Sequence, residues 1–284
     1  MKKIITHLSP HLDEIVGIWL IKNLDPEWQE ANVSFKATNP QGGEVDLANV
    51  DKDPDIIYLG LGRSKFDEHK LEKEAAAHDC AATLVWKDLN SRGLVKVDPD
   101  RQAGIEKLLE FILKEDTGAL KNEEHWLGDF SIEALWAGFS QANRGDSDKK
   151  LEYGLPLIDY MVTYLSNIAG SERELKEKGI FFESRWGPAV AIESDRGSVS
   201  NVAYRQGLVL LVGINPKLGY RRMTGKTGSS VDLTPIYEEL QKIDSGAEWY
   251  LHQSKRMLLS GSHSAPNVKI SQLPLEKMIN LVKA

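Results

Sequence analysis

Near its start the chain gathers two imidazoles and two carboxylates in the run Thr6-His7-Leu8-Ser9-Pro10-His11-Leu12-Asp13-Glu14-Ile15. Side chains of these types at this density can hold a divalent cation. Mixed imidazole and carboxylate donors suit manganese, zinc or iron better than calcium. A plainer reading stays open, in which His7 packs or caps while Asp13 and Glu14 favour a helix N-terminus through its dipole. A second cluster, Lys65-Phe66-Asp67-Glu68-His69-Lys70, sets three coordinating side chains side by side. Adjacent residues reach one cation only where the backbone is irregular, and Gly60 and Gly62 just upstream permit such a path. A mixed-charge surface loop is the alternative there. Glu115-Asp116-Thr117-Gly118 follows an amphipathic stretch and by itself reads as a helix stop.

The elements that must position these groups follow from the apolar spacing. Met1 to Thr6 reads as a short buried strand, and Ile15, Ile18, Trp19 and Ile21 recur at helical spacing. The first cluster therefore falls at a strand-to-helix turn, on the carboxyl edge where α/β sheets build their sites. Further strands are expected over 33–37 and 55–60, with helices over 13–23, 100–114 and 131–141, which predicts a parallel sheet flanked by helices. A solvated loop over 143–148 precedes a long helix expected over 157–179. Beyond it strands are predicted over 188–193, 202–204, 208–213 and 249–252, and helices over 234–242 and 274–283. The expected fold class is thus α/β, with a first domain over 1–180 and a smaller C-terminal α/β domain over 181–284, joined by the long helix. Trp28, Trp86, Trp126, Trp136, Trp186 and Trp249 are expected in cores and interfaces, although any of them could stack a base.

Of the 284 residues 41% are hydrophobic and 27% charged, which suits a folded globular chain. No apolar run approaches the roughly 20 residues that span a bilayer. The apolar stretch after Met1-Lys2-Lys3 ends too soon for a secretory leader. The expectation is a cytoplasmic protein with no membrane partner. Cys80 is the only cysteine, which excludes an intrachain disulfide and a thiolate-rich zinc site, so any metal falls to His, Asp and Glu. The net charge of −7 is uneven: residues 1–180 carry 22 Lys and Arg against 33 Asp and Glu, and residues 181–284 carry 13 against 9. The acidic surplus suits a cation-binding region as well as mere solubility, and the basic surplus points to an anionic ligand in the second part. Neither part is basic enough to coat a nucleic-acid duplex.

In their order along the chain, the three clusters resemble the DHH phosphoesterase superfamily, most nearly its Myg-type exonuclease branch. The superfamily pattern His-x-x-Pro-Asp-x-Asp is matched by His7-Leu8-Ser9-Pro10-His11-Leu12-Asp13, with His11 in place of the first Asp. The Myg-type pattern of Thr-His, a short turn and His-x-Asp-Glu is similar to Thr6-His7 followed by His11-Leu12-Asp13-Glu14. The Asp-His-His signature corresponds to Asp67-Glu68-His69, and the later aspartate turn to Asp116-Thr117-Gly118. The run from His78 to Val85 resembles the small-residue helix start after the signature. The matches span residues 4–118. Two departures stand out: Glu68 replaces a histidine, and the strand-end aspartate that bridges two metals has Leu59 or Gly60 in its place. Asp79 is another acid that could reach in. In the C-terminal part, Leu259-Ser260-Gly261-Ser262-His263-Ser264 loosely resembles the family's glycine-rich substrate-binding turn.

This resemblance implies a metal-dependent phosphohydrolase or exonuclease, with His7, His11, Asp13, Glu68, His69 and Asp116 as ligands of one or two metals, most readily manganese, with zinc or iron as alternatives. Asp67 would orient a ligand histidine, and water activated by the metal would attack phosphorus. Asp67, His69 and His263 are the catalytic candidates. Backbone amides of the turn, Ser262 and His263 would hold phosphate, helped by Arg221, Arg222, Lys226 and Lys255; His252, Ser254 and Arg256 lie nearby. The alternative for this part is an ordinary strand-connecting turn among solvated cations. The implied substrate is a phosphodiester or phosphomonoester of a nucleic-acid end, a single-stranded oligonucleotide or a nucleotide, held between the domains. A catalytically degenerate DHH-like module that binds a nucleotide or a protein is the alternative. An unrelated α/β protein would instead scatter these clusters over its surface. The oligomeric state stays open, a homo-oligomer included.

Overall fold

The computed structural model describes residues 1–37, 49–70, 78–119 and 131–283. The chain divides into two compact units, Met1–Ser166 and Asn167–Ala284. Trp126 lies outside the described residues.

In the first unit three parallel strands run in the order β2-β1-β3, with β1 (Lys3–His7) between β2 (Asn32–Lys36) and β3 (Ile56–Tyr58). Because all three are parallel, their carboxyl ends share one edge, and the turns after β1 and β3 leave from it. The turn after β1 leads into α1 (Leu12–Leu24), which is buried all round from Leu12 to Ile21. A helix apolar on every side belongs inside a fold. Its Ile15, Ile18 and Trp19 pack with Ile4, Leu59, Val85 and Ile105 in one core.

Two further helices close over α1. The first, α2 (Ala81–Ser91), begins at Ala81 with Cys80 as its buried N-cap. The second, α3 (Pro99–Asp116), starts where the Asp98 carboxylate accepts the Arg101 amide at 3.0 Å and Pro99 takes the first helical position. It stops at Thr117-Gly118, where Gly118 adopts φ +66°. This fixes Asp116 at the last turn.

After α4 (Ile132–Ala142), the long helix α5 occupies Ser147–Lys178, beginning ten residues before the expected start at 157. Pro156 lies inside the helix. An interior proline costs about 3 kcal/mol. The Asp146 carboxylate caps the Lys149 amide at 3.1 Å, and Gly154, Ile158 and Val162 continue the buried face on both sides of Pro156, which offsets that cost.

The second unit holds a six-stranded mixed sheet in the order β4-β5-β6-β7-β9-β8. Its strands are β4 (Ile180–Ser184), β5 (Gly187–Glu193), β6 (Leu210–Ile214), β7 (Arg221–Gly225), β8 (Tyr250–Leu251) and β9 (Met257–Ser260). The helices are α6 (Val199–Arg205), α7 (Thr234–Ile243) and α8 (Leu275–Val282). The α/β class is as expected, with a parallel sheet in the first unit and a mixed one in the second. The expected strand over 202–204 is instead part of α6. Val199, Val202 and Ala203 form a helical stripe packed against Val190, Ile192 and Leu211, and that burial overrides the strand preference of Val202 and Tyr204. Strands β4, β7 and β9 were not anticipated; for β7 the reason is that Arg221-Arg222-Met223-Thr224-Gly225 buries only Met223 and carries no apolar alternation. Among the described residues no helix is long and apolar enough to cross a membrane.

Candidate metal centre

The turn between β1 and α1 brings His7, His11 and Glu14 together, each offering a ligand atom within 4.8 Å of the others. Glu14 sits at the third position of α1 and reaches back, so that its Oε2 accepts the His11 amide at 2.6 Å. This satisfies an amide that the helix start leaves unpaired. Glu14 Oε1 lies 2.6 Å from His7 Nε2, while His7 Nδ1 donates to the Leu8 carbonyl at 3.1 Å. The Glu14 hydrogen bond raises the His7 imidazole above its ordinary value, against the opposing effect of burial. Burial pushes the Glu14 carboxyl up, but the bonds from His7 and His11 win and hold it below the usual range. His11 presents an exposed ring edge-on to His7 at 4.9 Å between centroids.

Asp13 projects from the same helix and is 3% exposed. Its Oδ2 accepts the Ala81 amide at the start of α2 at 3.3 Å, whereas its Oδ1 has no hydrogen-bond partner among the described residues. Burial, then the charges of Glu14, Asp116 and Glu68, push its carboxyl well above the ordinary range. The same helix start carries Cys80, whose thiol is pushed up to about 12 by burial and by Asp13, so it is inert as a thiolate.

The turn after β3 supplies the second group. Gly60 and Gly62 both adopt positive φ, +65° and +71°, and the chain doubles back so that the Gly60 amide meets the Phe66 carbonyl at 2.9 Å. This irregular path lets Asp67, Glu68 and His69 each offer a ligand atom within 4.8 Å of the others. Asp67 is buried, and its carboxylate accepts the amides of Arg63 at 2.7 Å and His69 at 3.0 Å. His69 turns Nδ1 toward Asp67 at 3.1 Å and Glu68 at 2.9 Å. Nε2 is then the nitrogen turned away from both acids. Glu68 keeps Oε2 buried without a hydrogen-bond partner among the described residues, and burial is the main cause that raises its carboxyl.

Asp116 at the end of α3 connects the two groups electrostatically. Burial of its carboxyl and the nearby Glu14 charge raise it, while His11 and His69 oppose the shift. Of the sequence-predicted ligands, His7 and His11 thus fall in the first group and Glu68 and His69 in the second, while Asp13 and Asp116 belong to neither and feel the charges of both. Asp79 turns away: its two oxygens bind Lys87 at 2.6 and 2.7 Å, and Thr83 donates to it at 2.8 Å.

Two residues that the sequence reading passed over hold the first turn. Lys150, 4% exposed, donates to the Pro10 carbonyl at 3.1 Å, and Ser147 Oγ accepts the Ser9 amide at 2.8 Å. The signal was the buried face of α5 continued backward from Ile158 through Gly154 to Lys150 and Ser147. Pro156 hid it.

In the second unit the phosphate-binding candidates separate. Side chains of successive strand residues point to opposite faces. Arg221 follows the Met223 face, donating through Nε to the Leu273 carbonyl at 3.3 Å and to Gly219. Arg222 takes the face where Tyr204 donates to Thr224, and its guanidinium lies over Gly213. Burial lowers the Arg222 pKa, and among the described residues it has no hydrogen-bond or ion-pair partner. Ser262 accepts the Ala265 amide at 3.1 Å, and the exposed His263 meets Tyr220 edge-on at 5.9 Å, near the Arg221 end of β7. Lys226 and Lys255 lie at its other end, roughly 13 Å along the strand. Lys255 faces Asp232 at 3.7 Å. Arg221, Ser262 and His263 thus gather at one end, Lys226 and Lys255 at the other, and Arg222 stands apart on its own face.

The chain matches no protein-family model and no curated protein.

Proposed function

We propose that the protein is a metal-dependent phosphoesterase with a DHH-like first unit, acting on a phosphodiester or phosphomonoester of a nucleic-acid end, an oligonucleotide or a nucleotide. One observation carries the reading: among the described residues two buried carboxylate oxygens have no hydrogen-bond partner, Asp13 Oδ1 next to Glu14 of the first group and Glu68 Oε2 within the second. Orphaned buried acids of this kind cost stability unless a cation compensates them. The donor set fits manganese, with zinc or iron as alternatives. His7, His11, Asp13, Glu68, His69 and Asp116 would hold the metal.

When bound, the metal supplies Lewis acidity toward a phosphoryl oxygen and lowers the pKa of water. The chain's own residues do the rest. Asp67 fixes the His69 ring through Nδ1 and sets which nitrogen faces outward. Lys150 and Ser147 hold the turn that carries His7 and His11, so the donors are positioned before substrate arrives. Arg222, without an acidic partner, is the cation of the second unit best suited to receive a phosphate.

A degenerate module that binds without hydrolysing is the second reading, favoured by Leu59 and Gly60 at the end of β3 where an acid would be expected. Metal analysis of gently purified protein, followed by hydrolysis of bis(p-nitrophenyl) phosphate and short oligonucleotides with manganese, separates the two. Metal bound by the wild type and lost in His11→Ala/His69→Ala, with hydrolysis abolished in Asp13→Ala, is the expected result. Metal-free protein that refuses added manganese would turn the assignment toward the binding module.

A further inference from the structure

Gly60 stands where β3 gives way to the loop carrying Asp67, Glu68 and His69. A Cβ built on it would lie 2.5 Å from Glu14 Oε1, 2.9 Å from Cγ and 3.1 Å from Cδ. A side chain at position 60 would press on the Glu14 carboxylate, and the left-handed backbone there, φ +65°, also favours glycine. That carboxylate is 4% exposed and has no Lys or Arg within ion-pair distance among the described residues. Its polar contacts among the described residues are the His7 ring, the His11 ring and the His11 amide. It thus belongs to the first donor group and abuts the loop of the second.

We infer that Glu14 is a metal ligand shared by the two donor groups, delivered from α1 into the place that a strand-end acid at position 60 would fill. The inference rests on the metal-centre reading above. Its independent support is the adjoining Asp13, 3% exposed, with Oδ1 unpartnered. Two side chains from one helix turn, Asp13 and Glu14, then serve the site where two separate elements might have been required. The glycine at position 60 is the complement of that relocation, and a strand without a terminal acid does not leave the site incomplete.

The test moves the carboxylate back. Wild type, Glu14→Gln, Gly60→Asp and Glu14→Ala/Gly60→Asp are compared by metal content and by calorimetric titration with manganese, with circular dichroism confirming the fold of each. Glu14→Gln keeps an acceptor for the His11 amide, so its helix start survives. Aspartate is among the few residues that tolerate the left-handed backbone at Gly60. Glu14→Gln should weaken manganese binding by at least about tenfold, a scale that even supporting residues of metal sites reach. Gly60→Asp alone sets two carboxylates in one space and should also bind poorly. The double variant should recover wild-type stoichiometry. Undiminished binding by Glu14→Gln overturns the inference alone, and so does a double variant that folds but stays impaired. Wild-type protein that takes up no manganese, zinc or iron removes the metal-centre reading and this inference with it.

Discussion

The Lys150 ammonium donates to the Pro10 carbonyl at 3.1 Å, tying the first turn of α5 to the turn that separates His7 from His11. It also lies 5.4 Å from the centre of the Trp136 ring, which covers its stem. Burial lowers its pKa, and the Glu14 charge opposes that shift. A cation so placed holds the backbone of the histidine-bearing turn without being a ligand.

Lys150→Met should therefore loosen that turn. Hydrogen bonds to charged groups contribute about 1.5–3 kcal/mol, so the denaturant midpoint should fall accordingly. Manganese affinity should fall with it, and Lys150→Arg should recover part of both. An unchanged midpoint and affinity in Lys150→Met would remove the positioning role.

Asp13 makes the opposite prediction for stability. Its carboxyl is raised by burial first and then by Glu14, Asp116 and Glu68, so the metal-free fold disfavours the charged form. A raised carboxyl pKa means that the folded state binds the proton more tightly, and stability falls as pH climbs from the unfolded value toward the folded one. Asp13→Asn should stabilise the metal-free protein at pH 7 by about 1–3 kcal/mol while abolishing manganese binding. Thermal melts of both proteins in chelator, with and without added metal, check the two halves together.

Glu174 in the second unit titrates the other way. Its Oε2 accepts from Ser194 at 2.7 Å and its Oε1 from Arg196 at 3.0 Å. Burial acts to raise it, but the bonds from Ser194 and Arg196 and the Lys178 charge hold it below its ordinary value of 4.5. The stability it contributes is complete above 4.5 and is lost as pH falls through the lower folded value. Glu174→Gln should be less stable at neutral pH and should show a flatter loss between 4.5 and the acid limit. Identical melting profiles for wild type and variant over that window would contradict this assignment.

The neighbours Arg221 and Arg222 should behave differently despite their adjacency. Arg221 is anchored to the carbonyls of Leu273 and Gly219, so Arg221→Met should cost about 1–3 kcal/mol. Arg222 lacks a partner among the described residues, so Arg222→Met should be neutral or stabilising. If Arg222 receives phosphate, inorganic phosphate should raise the melting temperature of the wild type and leave that of Arg222→Met unmoved. Equal responses in the two proteins would exclude Arg222 as the anion site.

Local chemistry was legible wherever one short segment carried it. Apolar spacing after Asp13 fixed α1 within a residue or two, because a helix buried all round leaves a dense signature in its own sequence. The positive φ of Gly60 and Gly62 follows from glycine alone. The donors at His7, His11, Asp13, Glu68, His69 and Asp116 were readable as types, and the parallel sheet accounts for the turns after β1 and β3, which carry two donor groups, leaving from one edge. Strand β7 was not readable, because a strand with one buried residue of five has no alternation to detect.

What only the tertiary structure decided depends on direction and space, which residue order does not encode. Arg221 and Arg222 look like one cationic pair in sequence, yet the two-residue period of a strand sends them to opposite faces. Pro156 looks like a boundary, yet packing of Ile158 and Val162 carries α5 through it and brings Lys150 to Pro10. Glu14 looks like a helix-start acid, and it is one. That its carboxylate also fills the space beside Gly60 follows from the register of α1 against β3, set by core packing across forty-six positions of chain.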